Sequence, residues 1–239
     1  IRVPLGPGEV HDLEAMLEQI TAATQLILVC NPNNPTGTYL PVAEIVGFLE
    51  RVPGHTTVIL DEAYIEFQQY DDPDDTVDLL GQYPNLVLLR TFSKAYSLAG
   101  LRVGYALCSP AFRGAVDAVR QPFSVNALAQ AAATEALRHG DRIQERVESL
   151  IIERVRMENG FAGLGLETAE TQANFSWISL GENGADIEQQ VVTDLATDGV
   201  VVRPGSLLGG PGWLRASYGT VEEDDRFLAA LSAAVSDRT

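Results

Sequence analysis

Residues 86–104 read LVLLRTFSKAYSLAGLRVG, and this stretch indicates the fold class. An apolar run at 86–89 leads into a polar turn, and a second apolar run follows the turn. The runs LILVC at 26–30 and TVIL at 57–60 show the same pattern earlier in the chain. Strands that are apolar on both sides are typical of parallel sheets with helices on both faces. The sequence therefore predicts an α/β fold with a mostly parallel sheet flanked by helices.

The remaining elements follow from the period of the apolar residues. Predicted strands span 25–30, 57–61, 85–90, 103–107, 174–180, 200–203 and 213–218. Predicted helices span 11–20, 42–52, 111–120, 127–139, 141–160, 185–198 and 221–236. We therefore expect a large domain at 1–122, then linking helices and a smaller α+β domain at 123–239. The opening residues IRVPL also read as a strand, which indicates that the chain is the carboxy-terminal part of something longer.

Charge and composition narrow the class of protein. Sixteen Lys and Arg against 33 Asp and Glu give a net charge of −17, which argues against a nucleic-acid partner. The sequence has no run of about 18 uncharged apolar residues, so we expect no membrane span and a cytoplasmic protein. The two cysteines and three histidines lack the spacing of metal ligands, so no metal is predicted. Small molecules and other subunits are the expected partners.

Polar residues follow three of the predicted strands at their carboxyl ends, where open parallel sheets bind ligands. NPNNPTG occupies 31–37, DEAY occupies 61–64, and RTFSKAYSLAGLRVG occupies 90–104. Each segment has an ordinary explanation alone, as a tight turn, a helix cap and a surface lysine, respectively. Their occurrence together at one edge of the sheet favours a binding site.

The combined groups supply what a pyridine aldehyde phosphate requires of a protein. The amine of Lys94 can form an imine with the aldehyde, and the carboxylate of Asp61 can keep the ring nitrogen protonated. Asn34 and Tyr64 can donate hydrogen bonds to the ring hydroxyl oxygen. These four residues together predict a site for the ring.

A second set of groups suits the phosphate. The hydroxyls of Thr91 and Ser93 precede the lysine, and Arg102 follows it by eight residues. The planar guanidinium of arginine can form two parallel hydrogen bonds with phosphate oxygens. The same stretch therefore predicts both the attachment point and the phosphate ligands.

The motifs NPNNPTG, LDEAYIEF, LRTFSKAYSLAGLRVGYAL and RPGSLLGGPGWLRASYGT resemble those of the fold-type I aminotransferases, most closely the histidinol-phosphate aminotransferase branch. The resemblance implies pyridoxal 5'-phosphate as the cofactor, bound by Asn34, Asp61, Tyr64, Thr91, Ser93, Lys94 and Arg102. It also implies that Arg215 binds the carboxylate of the substrate and that Arg203 helps to receive its anionic end. For both arginines the alternative is an ion pair with a neighbouring acid such as Glu222.

The resemblance further implies transamination within a homodimer. The amino donor would be histidinol phosphate or an aromatic amino acid, the acceptor 2-oxoglutarate, and the pathway histidine biosynthesis. In the family, a region ahead of the position of Ile1 supplies a phosphate loop, a ring-stacking aromatic residue and a tyrosine of the second subunit. Two alternatives stay open: a decarboxylase or lyase of the same fold, and an incomplete module that only binds or oligomerises.

Overall fold

The computed structural model describes residues 1–236, so the last three residues of the predicted second domain lie outside it. Contacts divide the chain into two compact units. The first comprises Ile1–Asn33 and Tyr39–Val147, and the second comprises Asn34–Thr38 and the chain from Glu148 onward. The change at 147 and 148 falls inside a long helix, and the predicted division at 122 and 123 stays a prediction.

The first unit contains a four-stranded sheet. Its strands are β1 (Leu26–Cys30), β2 (Thr57–Asp61), β3 (Leu86–Thr91) and β4 (Gly104–Cys108), in that spatial order. The first three run parallel, and β4 pairs antiparallel to β3. The prediction of a mostly parallel sheet is therefore confirmed, and β4 is its antiparallel strand. Its connection from β3 holds a short 3-10 turn in place of a helical crossover, and parallel neighbours usually need such a crossover.

Five helices accompany this sheet: α1 (Leu13–Glu18), α2 (Val42–Leu49), α3 (Asp75–Leu79), α4 (Pro110–Val119) and α5 (Ala127–Ala136). The side chains of Asp12, Ser109 and Asn126 each accept a hydrogen bond from a first-turn N–H, which fixes the start of α1, α4 and α5. Such caps typically contribute about 1 kcal/mol each. The short helix α3 was not expected, because its acid-rich sequence shows little apolar periodicity.

One face of the sheet carries the core of the first unit. Ile27 and Val29 of β1 are buried among apolar residues of β2, β3 and the helices α1, α2 and α3. Their neighbours on the opposite face, Leu26 and Leu28, are 52% and 56% exposed. Within residues 1–236, helices therefore cover only one face of β1, because α1, α2 and α3 all pack against that face.

The second unit is an α+β layer pair. It contains α6 (Gly140–Gly163, which begins in the first unit), β5 (Phe175–Ser179), α7 (Gly184–Thr197), β6 (Arg203–Pro204), β7 (Trp213–Ser217) and α8 (Val221–Ser236). The strands form an antiparallel sheet in the order β5-β7-β6. Ile178, Leu214 and Ala216 turn one face of this sheet into a core with the helices. Within residues 1–236, no helix is long and apolar enough to cross a membrane.

Of the strand predicted at 200–203, only Arg203 lies in a strand, and Val200 belongs to the C-terminal cap of α7. Val200 N donates to Leu195 O at 2.8 Å, and Gly199 adopts a left-handed φ of 75°. This closes α7 in the manner of a Schellman cap. Pairing begins only at Arg203, so β6 is two residues long.

Candidate active site

The first unit brings Asp61, Tyr64 and Lys94 to the carboxyl ends of β2 and β3. Asp61 is the last residue of β2, and Tyr64 is buried three residues later. Lys94 lies in the loop that follows β3, and its Nζ is 4.9 Å from the centroid of the Tyr64 ring. An amine, a phenol and a carboxylate therefore share one edge of the sheet, as the parallel order of β2 and β3 requires.

Asp61 is a half-buried carboxyl beside a cation. Burial raises the pKa of Asp61, whereas the Ala63 N–H that bonds its Oδ1 at 3.1 Å and the charge of Lys94 lower it. A cationic group that bound against this carboxyl would compensate for its lost hydration. The residue is therefore suited to hold a protonated ring nitrogen.

The predicted phosphate ligands lie on the same loop. Thr91 Oγ1 accepts a hydrogen bond of 3.1 Å from Ser93 N, and Ser97 N donates to Lys94 O at 2.9 Å, so the loop is folded into consecutive turns. Arg102 is exposed and adopts a left-handed conformation, with φ 54° and ψ 54°. For a residue other than glycine this conformation costs about 1–2 kcal/mol. Such outliers cluster at functional sites, where surrounding structure maintains them.

The second unit brings together Asn34 and Arg215. Arg215 Nη1 donates a hydrogen bond of 2.6 Å to Asn34 Oδ1, and the guanidinium carbon lies 4.9 Å from the centroid of the Phe175 ring. Phe175 is fully buried at the start of β5. The aromatic face and the amide therefore fix the orientation of the arginine.

Arg203 lies directly opposite Arg215 in the β6–β7 pair. Directly opposed side chains of an antiparallel pair share one face of the sheet, and like charges there are destabilising. An anion with two negative groups, or one highly charged group, would relieve this repulsion. The pair is therefore a candidate substrate-binding feature.

The segment that carries Asn34 is packed tightly within the second unit. Gly37 has φ +79°, and a Cβ at this position would lie 2.7 Å from Thr171 Cβ and 3.2 Å from Thr171 Cα. Gln172 N also donates to Gly37 O at 2.7 Å. Only glycine fits both the dihedral angles and the space, so the turn read from NPNNPTG is also a packing contact.

The structure thus places the nine predicted residues in two groups. Six lie in the first unit: Asp61, Tyr64, Thr91, Ser93, Lys94 and Arg102. Three lie in the second unit: Asn34, Arg203 and Arg215. Each group is coherent in itself, and their assignment to a common cofactor and substrate stays a prediction.

Sequence reasoning missed several supporting residues. Phe175 beneath Arg215 reads as an ordinary core residue of an apolar strand. Glu188, buried on α7, accepts hydrogen bonds from the backbone N–H groups of Ser206 and Gly212 and so holds the loop between β6 and β7. Arg146 donates to Ser97 Oγ at 2.7 Å, behind the loop that carries Lys94. The sequence did offer one signal for Glu188: it lies at helical spacing from Val191 and Leu195, on the buried face of α7.

The chain is similar in sequence to known aminotransferases. The family model "Aminotransferase class I and II" matches residues 2–231. Histidinol-phosphate aminotransferase 2 of Ralstonia nicotianae is 44% identical over 226 residues, covering 95% of this chain and 60% of the relative. The aromatic amino acid aminotransferase of Streptomyces coelicolor is 46% identical over 231 residues, covering 95% and 61%.

The fold is also similar to that of a solved aminotransferase structure. Histidinol-phosphate aminotransferase from Sinorhizobium meliloti, in complex with pyridoxal-5'-phosphate, matches with a TM-score of 0.91 at 30% identity. The match covers 100% of this chain and 65% of that one. The chain spans about 60% of the length of the curated relatives that it matches.

Proposed function

Because this chain belongs to the class I and II aminotransferase family, we propose that it binds pyridoxal 5'-phosphate and takes part in transamination between an amino donor and a 2-oxo acid. The observation that carries the proposal is the convergence of Lys94, Tyr64 and Asp61 at one sheet edge. The amino donor is histidinol phosphate or an aromatic amino acid, the acceptor is 2-oxoglutarate, and the pathway is histidine biosynthesis. The names of the two curated relatives support these two classes of donor.

The side chains of the candidate site suit the chemical groups of pyridoxal phosphate. When bound, pyridoxal phosphate supplies an aldehyde that condenses with amines and a ring that accepts electrons from the neighbouring carbon. Lys94 would be its point of attachment, and Asp61 would hold the proton of the ring nitrogen. Tyr64 and Asn34 would donate to the ring hydroxyl oxygen.

The phosphate would bind to the loop after β3. The hydroxyls of Thr91 and Ser93 and the guanidinium of Arg102 are the groups that the proposal assigns to it. The left-handed conformation of Arg102 supports this assignment, because strain of this kind is expected where a side chain must be aimed at a ligand.

The chain's own residues would then divide the work of the reaction. The Lys94 Nζ would act as the base that takes the proton from the α-carbon of the amino donor and as the acid that gives the proton back. Asp61 would keep the ring nitrogen protonated throughout. Arg215 would hold the carboxylate of the substrate, and Phe175 and Asn34 would keep that arginine in place.

The cross-strand arginines bear on the choice of substrate. Arg203 and Arg215 oppose each other directly, and the two carboxylates of 2-oxoglutarate or the phosphate of histidinol phosphate would neutralise the pair. We therefore assign the second anionic group of the substrate to Arg203.

We also assign the chain to a homodimer. Large apolar side chains of α4, α5 and their connection are exposed, including Val119, Phe123 and Leu128. Apolar side chains clustered in one stretch of surface are typical of subunit interfaces. The occupant that we propose for this surface is a second copy of the chain.

Absorbance spectroscopy tests the cofactor assignment. The chain incubated with pyridoxal phosphate should develop a visible band, and borohydride followed by peptide mapping should place the reduced adduct on Lys94. Lys94→Arg, which keeps the charge, should give no adduct at that position. A folded chain without any band would contradict the proposal and favour a module that only oligomerises.

Product analysis then separates transamination from decarboxylation. With an amino donor and 2-oxoglutarate, the proposal predicts glutamate formation without release of carbon dioxide. Carbon dioxide without glutamate would assign the chain to the decarboxylases of the same fold, because the bond that breaks depends on the orientation of the bound amine.

A further inference from the structure

A buried ion pair joins the ends of β2 and β3, the two strands that carry Asp61 and Thr91 of the candidate cofactor site. Arg90 Nε donates to Glu62 Oε2 at 2.8 Å, and the two side chains are 9% and 0% exposed. Glu62 follows Asp61 in the chain, and Arg90 precedes Thr91. Each partner of the ion pair is therefore the neighbour of a residue assigned to the cofactor.

The strand geometry separates the two pairs of residues onto opposite faces. Asp61, the last residue of β2, pairs with Leu89, and Glu62 N donates to Leu89 O at 2.8 Å, so β2 stays paired with β3 to its end. Successive side chains of a strand point to opposite faces. The ion pair therefore ties the ends of β2 and β3 together on one face, while Asp61 and Thr91 lie on the other.

The guanidinium of Arg90 is held from further directions. It donates to Asp74 Oδ1 at 3.1 Å, to Thr76 Oγ1 at 3.4 Å and to Pro73 O. Glu66 and Tyr105 are further titratable groups that interact with Arg90. This arginine is thus a fixed point between both strand ends and the loop before α3.

Stability alone does not require such a pair. Burying two charges has a desolvation cost of several kcal/mol per ion, and replacing a buried pair by apolar residues of similar volume is often neutral or stabilising. What an apolar pair cannot supply is the directional bond between two strand ends. A site whose reacting groups come from those two ends depends on their spacing.

We propose that Glu62 and Arg90 are positioning residues, which set the spacing between the Asp61 carboxylate and the loop that carries Thr91, Ser93 and Lys94. This inference rests on the proposed function, because it assigns the pair to the cofactor site of that proposal. In this proposal the pair acts through the ends of β2 and β3 and not through direct contact with cofactor or substrate.

The double substitution Glu62→Met/Arg90→Met tests the proposal on the whole chain. The chain with the two methionines should fold, with a thermal midpoint near that of the unsubstituted chain. Its dissociation constant for pyridoxal phosphate should nevertheless rise about 10–100-fold, by analogy with the loss of affinity when residues that orient the ligands of a metal site are replaced. The pH midpoint of the absorbance band should also shift. Glu62→Gln, which nearly preserves shape, should show both changes and serves as the second variant if the Met pair does not fold.

Two controls separate positioning from stability. Glu153→Met/Arg156→Met makes the same chemical change at an ion pair of the second unit, and Asp74→Asn removes the charge of an exposed partner of Arg90. Both should leave the dissociation constant and the pH midpoint unchanged. If Glu62→Gln binds and titrates like the unsubstituted chain, this inference is overturned and the proposed function stands. If the unsubstituted chain forms no adduct at Lys94, both are overturned.

Discussion

Arg215 Nη1 donates a hydrogen bond of 2.6 Å to Asn34 Oδ1, and 181 positions separate the two residues in the chain. The arginine comes from β7 and the asparagine from the turn after β1. The Phe175 ring supports the same guanidinium. An arginine held from two sides loses little conformational freedom when it binds a carboxylate.

Replacing Arg215 by lysine should weaken the binding of the 2-oxo acid. Lysine keeps the charge but cannot bond Asn34 and a carboxylate through one planar group. We expect the dissociation constant of 2-oxoglutarate to rise about 10–100-fold, since hydrogen bonds to charged groups contribute about 1.5–3 kcal/mol. Isothermal titration of the cofactor-loaded chain measures this. Arg226→Lys, at an arginine bonded to Asp198 O, is the control. Equal affinity of Arg215→Lys and the unsubstituted chain would remove Arg215 from the site.

Gly37→Ala should destabilise the chain by about 3 kcal/mol or more. The added Cβ meets Thr171, and the left-handed φ disfavours any side chain. Denaturant unfolding monitored by tryptophan fluorescence measures the loss, since Trp177 and Trp213 lie in the second unit.

Gly165→Ala separates the two causes. Gly165 has φ +74° but no atom within 4 Å of an added Cβ, so this variant carries the dihedral cost alone, about 1 kcal/mol. Adding Thr171→Ala to Gly37→Ala should recover part of the difference. Equal losses at both glycines would show that packing against Thr171 is unimportant.

Glu66→Gln should change how stability depends on pH. Burial raises the pKa of Glu66 to about 7, the charge of Glu62 acts in the same direction, and Arg90 opposes both. The folded chain therefore holds a proton that the unfolded chain releases near pH 4.3. The stability this provides is fully present below that pH and is lost as the pH rises towards 7.

Unfolding measurements at several pH values test this sign. Between pH 5 and pH 8 the unsubstituted chain should lose about 1–3 kcal/mol relative to Glu66→Gln, whose side chain stays neutral throughout. The exposed Glu50→Gln variant should follow the unsubstituted chain. Parallel curves for Glu66→Gln and the unsubstituted chain would contradict the raised pKa.

Phe123→Asp should weaken self-association. The Phe123 side chain is fully exposed within the apolar stretch of α4 and α5, and a charge there would have to be desolvated in an interface. Sedimentation velocity should show a dimer for the unsubstituted chain and a shift to monomer for the variant. Tyr70→Asp, at another exposed aromatic residue, should remain dimeric. A monomeric unsubstituted chain at all concentrations would refute the assignment.

The sequence predicted the elements of the fold well where apolar periodicity is strong. The strand at 57–61 and the helix at 221–236 have the predicted bounds. Strand direction and face coverage were not predictable in the same way. An apolar strand such as β1 reads as buried on both sides, although Leu26 and Leu28 are exposed, and nothing local in the run leading into β4 signals its antiparallel direction.

The candidate site shows a similar division. The placement of Lys94, Asp61 and Tyr64 at one sheet edge was predictable, because residues that follow neighbouring parallel strands lie at the same edge. The Asn34–Arg215 bond depends on a contact between distant parts of the chain, which spacing cannot reveal. Glu62 and Arg90 looked like ordinary charges beside the candidate residues Asp61 and Thr91, because the sequence does not report which side chains are buried together.

Residues 34–38 belong to the second unit, although the chain on both sides of them belongs to the first. Recombination between two relatives at positions 147 and 148 would therefore join a Gly37 turn from one parent to a Thr171 partner from the other. Such chimeras would pair surfaces that had never been selected together, even with both halves intact. The second unit is encoded by two separate segments of the gene. A chimera that exchanges this unit should therefore take both segments from the same parent.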